Sequence, residues 1–302
     1  MFENLSTERR NDLGYIGKYE LLRELNFGTT SKVFMALDPD TREKVAIKVF
    51  KYERSLSREL LQNEMNVLKQ FNHVHIVRVI EAYESIELQI GATPSVSVSA
   101  LVMEYVSHGE LFDLLKNVGS LDDDTARRYF SELLDAIQNL HSKQITHRDI
   151  KPENVMFDER GSIKLIDFGY AAFADQDKLF DKPVGTRSYL SPEIHLRLPH
   201  SGYSADLFAA GIILFAMVAG HMPFRTATTE DKNFSSLCSE KPESFWESHE
   251  SKTKKQKKDL SYRFDDTFKD LVAKMLSFEP SKRPTIQEIR DHPWFRESTL
   301  KN

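Results

Sequence analysis

Two short polar clusters lie in the middle of this chain. His147-Arg148-Asp149-Ile150-Lys151-Pro152-Glu153-Asn154 comes first, and Asp167-Phe168-Gly169 follows. Between them stand two brief β-forming runs, Val155-Met156-Phe157 and Ile163-Lys164-Leu165-Ile166. Charged side chains at this density belong on loops that short strands hold in place, and a scaffold that presents such loops is built around a site. The chain must therefore fold so that residues 147–169 are displayed from a rigid core.

The flanking sequence supplies two different halves. Residues 19–25, 32–37 and 44–50 are short, apolar and β-forming, with turn residues at 28–31 and 38–41. Residues 57–71 read as a helix with Leu60, Glu64, Leu68 and Phe71 on one face. The carboxylate in that apolar stripe is anomalous. Strands are expected again near 77–83 and 100–105, and the Ser- and Thr-rich stretch 85–99 reads as a surface insertion.

After Gly109 the pattern turns helical. Asp122 can cap a helix whose stripe is Ala126, Phe130, Leu133, Leu134, Ile137 and Leu140. Residues 207–219 are apolar nearly all round, as in a helix buried in a core, and are too few to cross a bilayer. Residues 226–261 are polar, with a basic run at 252–258 that reads as a solvated loop or, less simply, as a docking element for anionic partners. Helices resume at 267–276 and 286–291. Residues 1–18 read as a mobile tail and 296–302 as a second one.

The chain has 302 residues, 40% hydrophobic and 29% charged, enough for a large core in one bilobal enzyme or two ordinary domains. A formal net charge of −5 argues against nucleic acid as the main partner. Cys238 is the single cysteine, so no intramolecular disulfide can form, and no apolar run reaches membrane-span length. These features lead to the expectation of a cytoplasmic or nuclear protein.

Taken together, the clusters at 147–154 and 167–169 resemble those of the protein kinases, and the resemblance runs from about Tyr19 to Phe295. It implies an α+β, bilobal protein kinase fold. A β-rich N-lobe would occupy 19–103, a hinge 104–109 and an α-helical C-lobe 110–295. It implies ATP and Mg²⁺ as cofactors and protein substrates as partners. Asp149 would orient the acceptor hydroxyl, Lys151 would contact the γ-phosphate, and Asn154 and Asp167 would bind the metal. Lys48, in Val45-Ala46-Ile47-Lys48, would pair with ATP phosphates and be held by Glu64, which accounts for the carboxylate on an apolar helix face. Leu25, Gly28, Val33 and Ala46 would cover the nucleotide and Met156 would floor it. Met103, Glu104 and Val106 would form the hinge, and Glu110 would reach the ribose or a substrate cation. His147, Phe168, Leu68 and Val79 resemble the family's hydrophobic spine, with Asp206 its anchor. Glu193 would pair with Arg283.

The phosphate loop departs from the family. In place of Gly-x-Gly-x-x-Gly stands Asn26-Phe27-Gly28-Thr29-Thr30-Ser31. With Tyr170 following Asp-Phe-Gly, it supports an alternative: a pseudokinase that binds or scaffolds without turnover. Lys151 and Gly185-Thr186 resemble the Ser/Thr kinases. Gly109-Glu110, residues 268–271 and His292-Pro293-Trp294-Phe295 resemble the calcium/calmodulin-dependent class, and 181–186 resembles the activation loop of calcium-dependent protein kinases. The sequence contains no calcium-binding loop motif, so a kinase domain without a built-in calcium-binding domain is expected. Thr186 is expected beside Asp149 and Lys151. Lys182 stands where related kinases carry a phosphorylated Thr, so Asp181, Asp175 or Asp177 is expected to anchor Arg148 without a phosphate.

Overall fold

The computed structural model describes residues 13–27, 31–50, 55–175 and 178–296, without the side chains of 26, 27 and 55–60. Gly28 and Asp177 therefore lie outside the described residues, as does the side chain of Leu60. The chain divides into two compact units: one contains residues up to 71 together with 77–105, and the other contains 72–76 and everything from 106 onward.

The first unit is a closed antiparallel barrel with one helix. Its strands are β1 (Gly14–Ile16), β2 (Tyr19–Phe27), β3 (Ser31–Leu37), β4 (Lys44–Phe50), β5 (Val79–Ile90) and β6 (Val96–Glu104), with α1 (Ser55–Leu68) between β4 and β5. Around the barrel the order is β1-β2-β3-β4-β6-β5, and β5 pairs back onto β1. Side chains alternate along each strand. Phe34, Ala36, Val45, Ile47, Val49, Val98, Ala100 and Val102 thus fill the core. The alternate residues of β3, β4 and β6 share the other face, where Val33 is opposite Lys48, and Ala46 is opposite Met103.

Two expectations fail in this unit. Residues 14–16 are a strand, not tail, and Ile16 is fully buried. Gly14 has φ +122°, and a Cβ there would fall 1.8 Å from Gln89 O, so β1 needs glycine to lie against β5. Residues 85–99 are not a surface insertion but lengthened β5 and β6. Leu88 of β5 and Val98 of β6 are buried, while most of the other side chains of 85–97 are exposed.

The second unit is mainly helical. Its elements are α2 (Leu111–Val118), α3 (Asp123–Ser142), β7 (Ile145–Thr146), β8 (Val155–Phe157), β9 (Ile163–Leu165), β10 (Ala172–Phe173), α4 (Pro192–His195), α5 (Gly202–Ala219), α6 (Lys232–Leu237), α7 (Glu243–Lys257), α8 (Asp266–Met275), α9 (Ile286–Asp291) and α10 (Pro293–Arg296). Asp122 caps α3 by accepting from Thr125 N at 2.9 Å, and all six stripe residues are buried. α5 is apolar and long enough to cross a membrane, yet 89% of it is buried inside the protein, where α3, α7 and α8 pack on it. The polar stretch 226–261 contains two helices. In α7, Phe245, His249 and Thr253 recur every fourth residue and are buried, so the basic run occupies the exposed side of a packed helix.

Candidate active site

In the first unit the sheet register sets Val33, Ala46, Lys48 and Met103 on neighbouring positions of β3, β4 and β6. Lys48 is buried, and its Nζ donates to both carboxylate oxygens of Glu64, at 2.8 and 2.7 Å. Glu64 is 1% exposed on α1, so its charge is tolerable only because the ammonium pairs it. Val33 and Ala46 are half-buried and Met103 is buried on the same sheet face as Lys48. Leu25 stands at a bulge in β2 and is more exposed. Glu104 N–H donates to Arg78 O at 3.0 Å and its carboxylate accepts from Arg78 N–H at 2.8 Å, which fixes the end of β6. Leu68, at the end of α1, is buried and Val79 half-buried.

The second unit carries the charged loops. After β7, the loop turns through Arg148 in the left-handed region (φ +63°). Asp206, a carboxylate within apolar α5, holds that turn. Its oxygens accept from His147 N–H and Arg148 N–H, both at 2.9 Å, and it lies 3.0 Å from His141 Nε2. His147 donates from Nε2 to Ile166 O at 3.1 Å and accepts at Nδ1 from Asp149 N–H at 3.3 Å. Its ring packs edge-on against buried Phe168, centroids 4.8 Å apart.

These contacts aim Asp149, which is 5% exposed. Its Oδ1 accepts from Thr186 N–H at 2.7 Å, and its Oδ2 from Lys151 Nζ at 2.8 Å and Asn154 Nδ2 at 3.2 Å. Lys151 Nζ also donates to Thr186 Oγ1 at 2.8 Å, and Asn154 Nδ2 to Asp149 O at 2.8 Å. Gly185 makes this approach possible: its φ is +105°, and a Cβ would lie 2.4 Å from Arg148 O. Asp149, Lys151, Asn154 and Thr186 are thus one hydrogen-bonded cluster. Asp167 follows β9 with its backbone at φ +60°, and its side chain is exposed.

Beside the cluster lie three carboxylates. Glu110 precedes α2 and pairs by backbone with Met156 of β8, while buried Val106 lies just upstream. Burial, then the charges of Asp113 and Glu153, push the Glu110 carboxyl above its usual range. Glu153 Oε2 is buried without a hydrogen-bond partner among the described residues.

Asp181 was expected to anchor Arg148 and does not. The Arg148 guanidinium instead donates from Nε to Tyr170 O at 2.7 Å and lies over the Phe180 ring. Burial lowers the pKa of Arg148, and neither Asp175 nor Asp181 forms an ion pair with it among the described contacts. The Asp206 charge partly offsets that burial, and the aromatic face accommodates the desolvated guanidinium, which no loop composition would reveal. His141 was missed as a partner of Asp206, its only sequence signal being a histidine in the last turn of α3. Glu193 and Arg283 meet as expected, in two parallel hydrogen bonds of 2.7 and 2.6 Å.

A family model described as "Protein kinase domain" matches residues 19–295. Similar curated proteins include CBL-interacting protein kinase 32 of Oryza sativa subsp. japonica, 34% identical over 93% of this chain and 59% of the relative. CBL-interacting protein kinase 12 of the same plant is 36% identical over 93% of this chain and 48% of the relative. CBL-interacting serine/threonine-protein kinase 12 of Arabidopsis thaliana is 33% identical, over 93% and 53% respectively. The chain spans about half the length of these relatives.

Proposed function

The chain belongs to the protein kinase domain family, and on that premise we propose that it is an ATP- and Mg²⁺-dependent protein serine/threonine kinase. The observation that carries the reading is the Asp149 carboxylate, fixed by Thr186 N–H, Lys151 and Asn154. A carboxylate held this way can accept the hydrogen bond of a serine or threonine hydroxyl and direct its oxygen. The acceptor oxygen bonds to the γ-phosphorus while the bond from that phosphorus to the β,γ-bridging oxygen breaks. ADP leaves, and the hydroxyl proton passes through Asp149 to solvent. Lys151 stabilises negative charge on the transferred group. Lys48, aligned by Glu64, serves the ATP phosphates.

Asn154 fits a metal role because its NH₂ group is committed to Asp149, which leaves the amide oxygen for a hard cation. Asp167 supplies the carboxylate. When bound there, Mg²⁺ neutralises phosphate charge. The pseudokinase alternative drew on residues 26–31, of which 28–30 lie outside the described residues, and on Tyr170 after Asp-Phe-Gly; the complete Asp149 cluster favours turnover.

Within the Ser/Thr kinases, we place the chain near the calcium/calmodulin-dependent class, on the strength of the motifs at 109–110, 268–271 and 292–295. The test of activity is phosphorylation of a mixed Ser/Thr peptide library by the purified chain with ATP and Mg²⁺. Asp149→Asn should lower kcat at least a thousandfold, roughly 4 kcal/mol in the barrier, while ATP still binds with near wild-type affinity. Near wild-type turnover by that variant would refute the assignment.

A further inference from the structure

The basic run of α7 takes no part in the site around Asp149. Lys252, Lys254, Lys255, Lys257 and Lys258 follow Ser251 with no acid among them. The helix sorts these lysines by direction. Phe245, His249 and Thr253 are buried, and Thr253 Oγ1 donates to Ala219 O at 3.1 Å, which fixes the rotation of α7. Lys257 is drawn inward: its Nζ donates to Leu121 O at 3.4 Å and lies 4.7 Å from the Tyr262 ring centroid. Lys254 is half-buried and lines a cleft with Glu243, Glu247 and Glu250. Lys252, Lys255 and Lys258 stay exposed, three residues apart and so on one side of the helix.

Nothing in the fold neutralises these three ammoniums. Their side chains form no ion pair or hydrogen bond among the described contacts. The positions three and four residues before them are Ser248, His249, Ser251, Lys252, Lys254 and Lys255, none of them acidic. Buried Glu250 is met by Lys269 at 3.1 Å and Arg263 at 3.5 Å. Asp259 is bound into the next turn by Ser261 N–H and Oγ, and its charge acts on Lys257. The C-terminal end of a helix offers only about half a negative charge, far less than the run supplies. Leu260 stands in that same turn, two residues past Lys258. At 85% exposure it is the most exposed large apolar side chain among the described residues. An unneutralised row of lysines thus ends beside a protruding leucine.

We propose that Lys252, Lys255, Lys258 and Leu260 dock the chain peripherally on an anionic lipid surface. The run contains no arginine, so it has no planar fork to select one carboxylate or phosphate. Compact ammoniums on the outer side of a helix suit the diffuse field of many headgroups, and the leucine adds an apolar contact at the acyl boundary. Because the whole chain carries a formal charge of −5, attraction is confined to this end, which sets the orientation on the surface. The proposal does not depend on the kinase reading.

The test is co-sedimentation of the purified chain with phosphatidylcholine vesicles containing about one third phosphatidylserine, compared with phosphatidylcholine alone. At about 50 mM salt the chain should bind the anionic vesicles about tenfold better, and at about 500 mM most of that preference should vanish. This comparison needs only the wild-type chain. Lys252→Gln, Lys255→Gln and Lys258→Gln combined should lower the partition at least tenfold, since each lysine near the surface contributes about fivefold. Leu260→Ser should lower it about threefold and leave the salt dependence in place. Both variants should keep the wild-type melting temperature, because the altered side chains are exposed. Equal binding to both vesicles at low salt, or a preference that survives the triple substitution, overturns the proposal. Retention on polyglutamate or duplex DNA without vesicle binding would assign the lysines to another polyanion and overturn it as well.

Discussion

Arg148 lies over the face of Phe180, its guanidinium carbon 4.5 Å from the ring centroid, while its Nε donates to Tyr170 O at 2.7 Å. Phe180 is itself fixed, since its N–H and C=O exchange hydrogen bonds of 2.9 Å with His200. The arginine before Asp149 thus has partners, an aromatic face and a backbone carbonyl, within residues 170–180.

Activity should therefore be independent of phosphorylation between 170 and 193. Phosphatase-treated enzyme should retain its rate within about twofold. Phe180→Ala should lower kcat about two- to thirtyfold, the range of a cation–π contact of ~0.5–2 kcal/mol, with ATP affinity little changed. Loss of most activity on dephosphorylation, mapped to this segment, would contradict the reading.

Glu110 and Glu153 should give the enzyme a preference for arginine before the acceptor. Glu110→Gln should reduce the Arg-over-Ala ratio in a positional peptide screen about fivefold, since charge-assisted pairs of this kind exceed neutral ones. Because burial and the neighbouring acids raise the Glu110 pKa, the preference should strengthen as pH rises through that elevated value. An unchanged ratio in Glu110→Gln would remove Glu110 from substrate recognition.

The Glu193–Arg283 pair should be structural. Burial alone would raise the Glu193 carboxyl, but the Arg283 hydrogen bonds and charge, aided by Ser191, outweigh it and hold it below the ordinary range. Arg283→Ala strands a carboxylate that is 5% exposed and should cost about 3–5 kcal/mol in urea unfolding. Arg283→Lys should restore only part, because an ammonium cannot make the paired bonds. A variant within about 1 kcal/mol of wild type would show the pair to be dispensable.

His249 should make stability fall in acid. It is fully buried against Phe215 and Phe245, and it hydrogen-bonds His221 at 2.8 Å, ring nitrogen to ring nitrogen. Burial first, then His221 and Lys252, push its pKa down from 6.5 to about 3, against smaller opposing effects of Pro223 O and Asp231. A folded pKa below the unfolded one means that protonation favours unfolding. The stabilisation is complete above pH 6.5 and is lost as pH falls toward 3, at no more than ~1.4 kcal/mol per pH unit. Unfolding free energy between pH 6.5 and 4 should thus fall less steeply in His249→Leu than in wild type; parallel curves would rule out this role.

The sequence by itself placed Asp149, Lys151 and Asn154 in one cluster, because they are separated by a few residues in a single loop and β8 fixes where the loop ends. The resemblance to the protein kinases also implied the pairing of Glu64 with Lys48, which accounts for a carboxylate on an apolar helix face. The α3 stripe was legible through its 3.6-residue period and the Asp122 cap. These features depend on local order or on one strong physical demand.

Tertiary structure decided the rest. Three residues, Gly14–Ile16, are too short for any period, and only pairing with β5 makes them a strand. Serine-rich β6 and lysine-rich α7 hide their buried faces because burial depends on which neighbour covers Val98, His249 or Thr253, not on composition. The partner of Arg148 was misjudged for the same reason. Charge counting pointed to Asp181, Asp175 or Asp177; Asp177 lies outside the described residues, and for the other two the fold brought an aromatic ring instead, because a contact between residues thirty-two apart is set by how the loop packs and not by the residues that compose it.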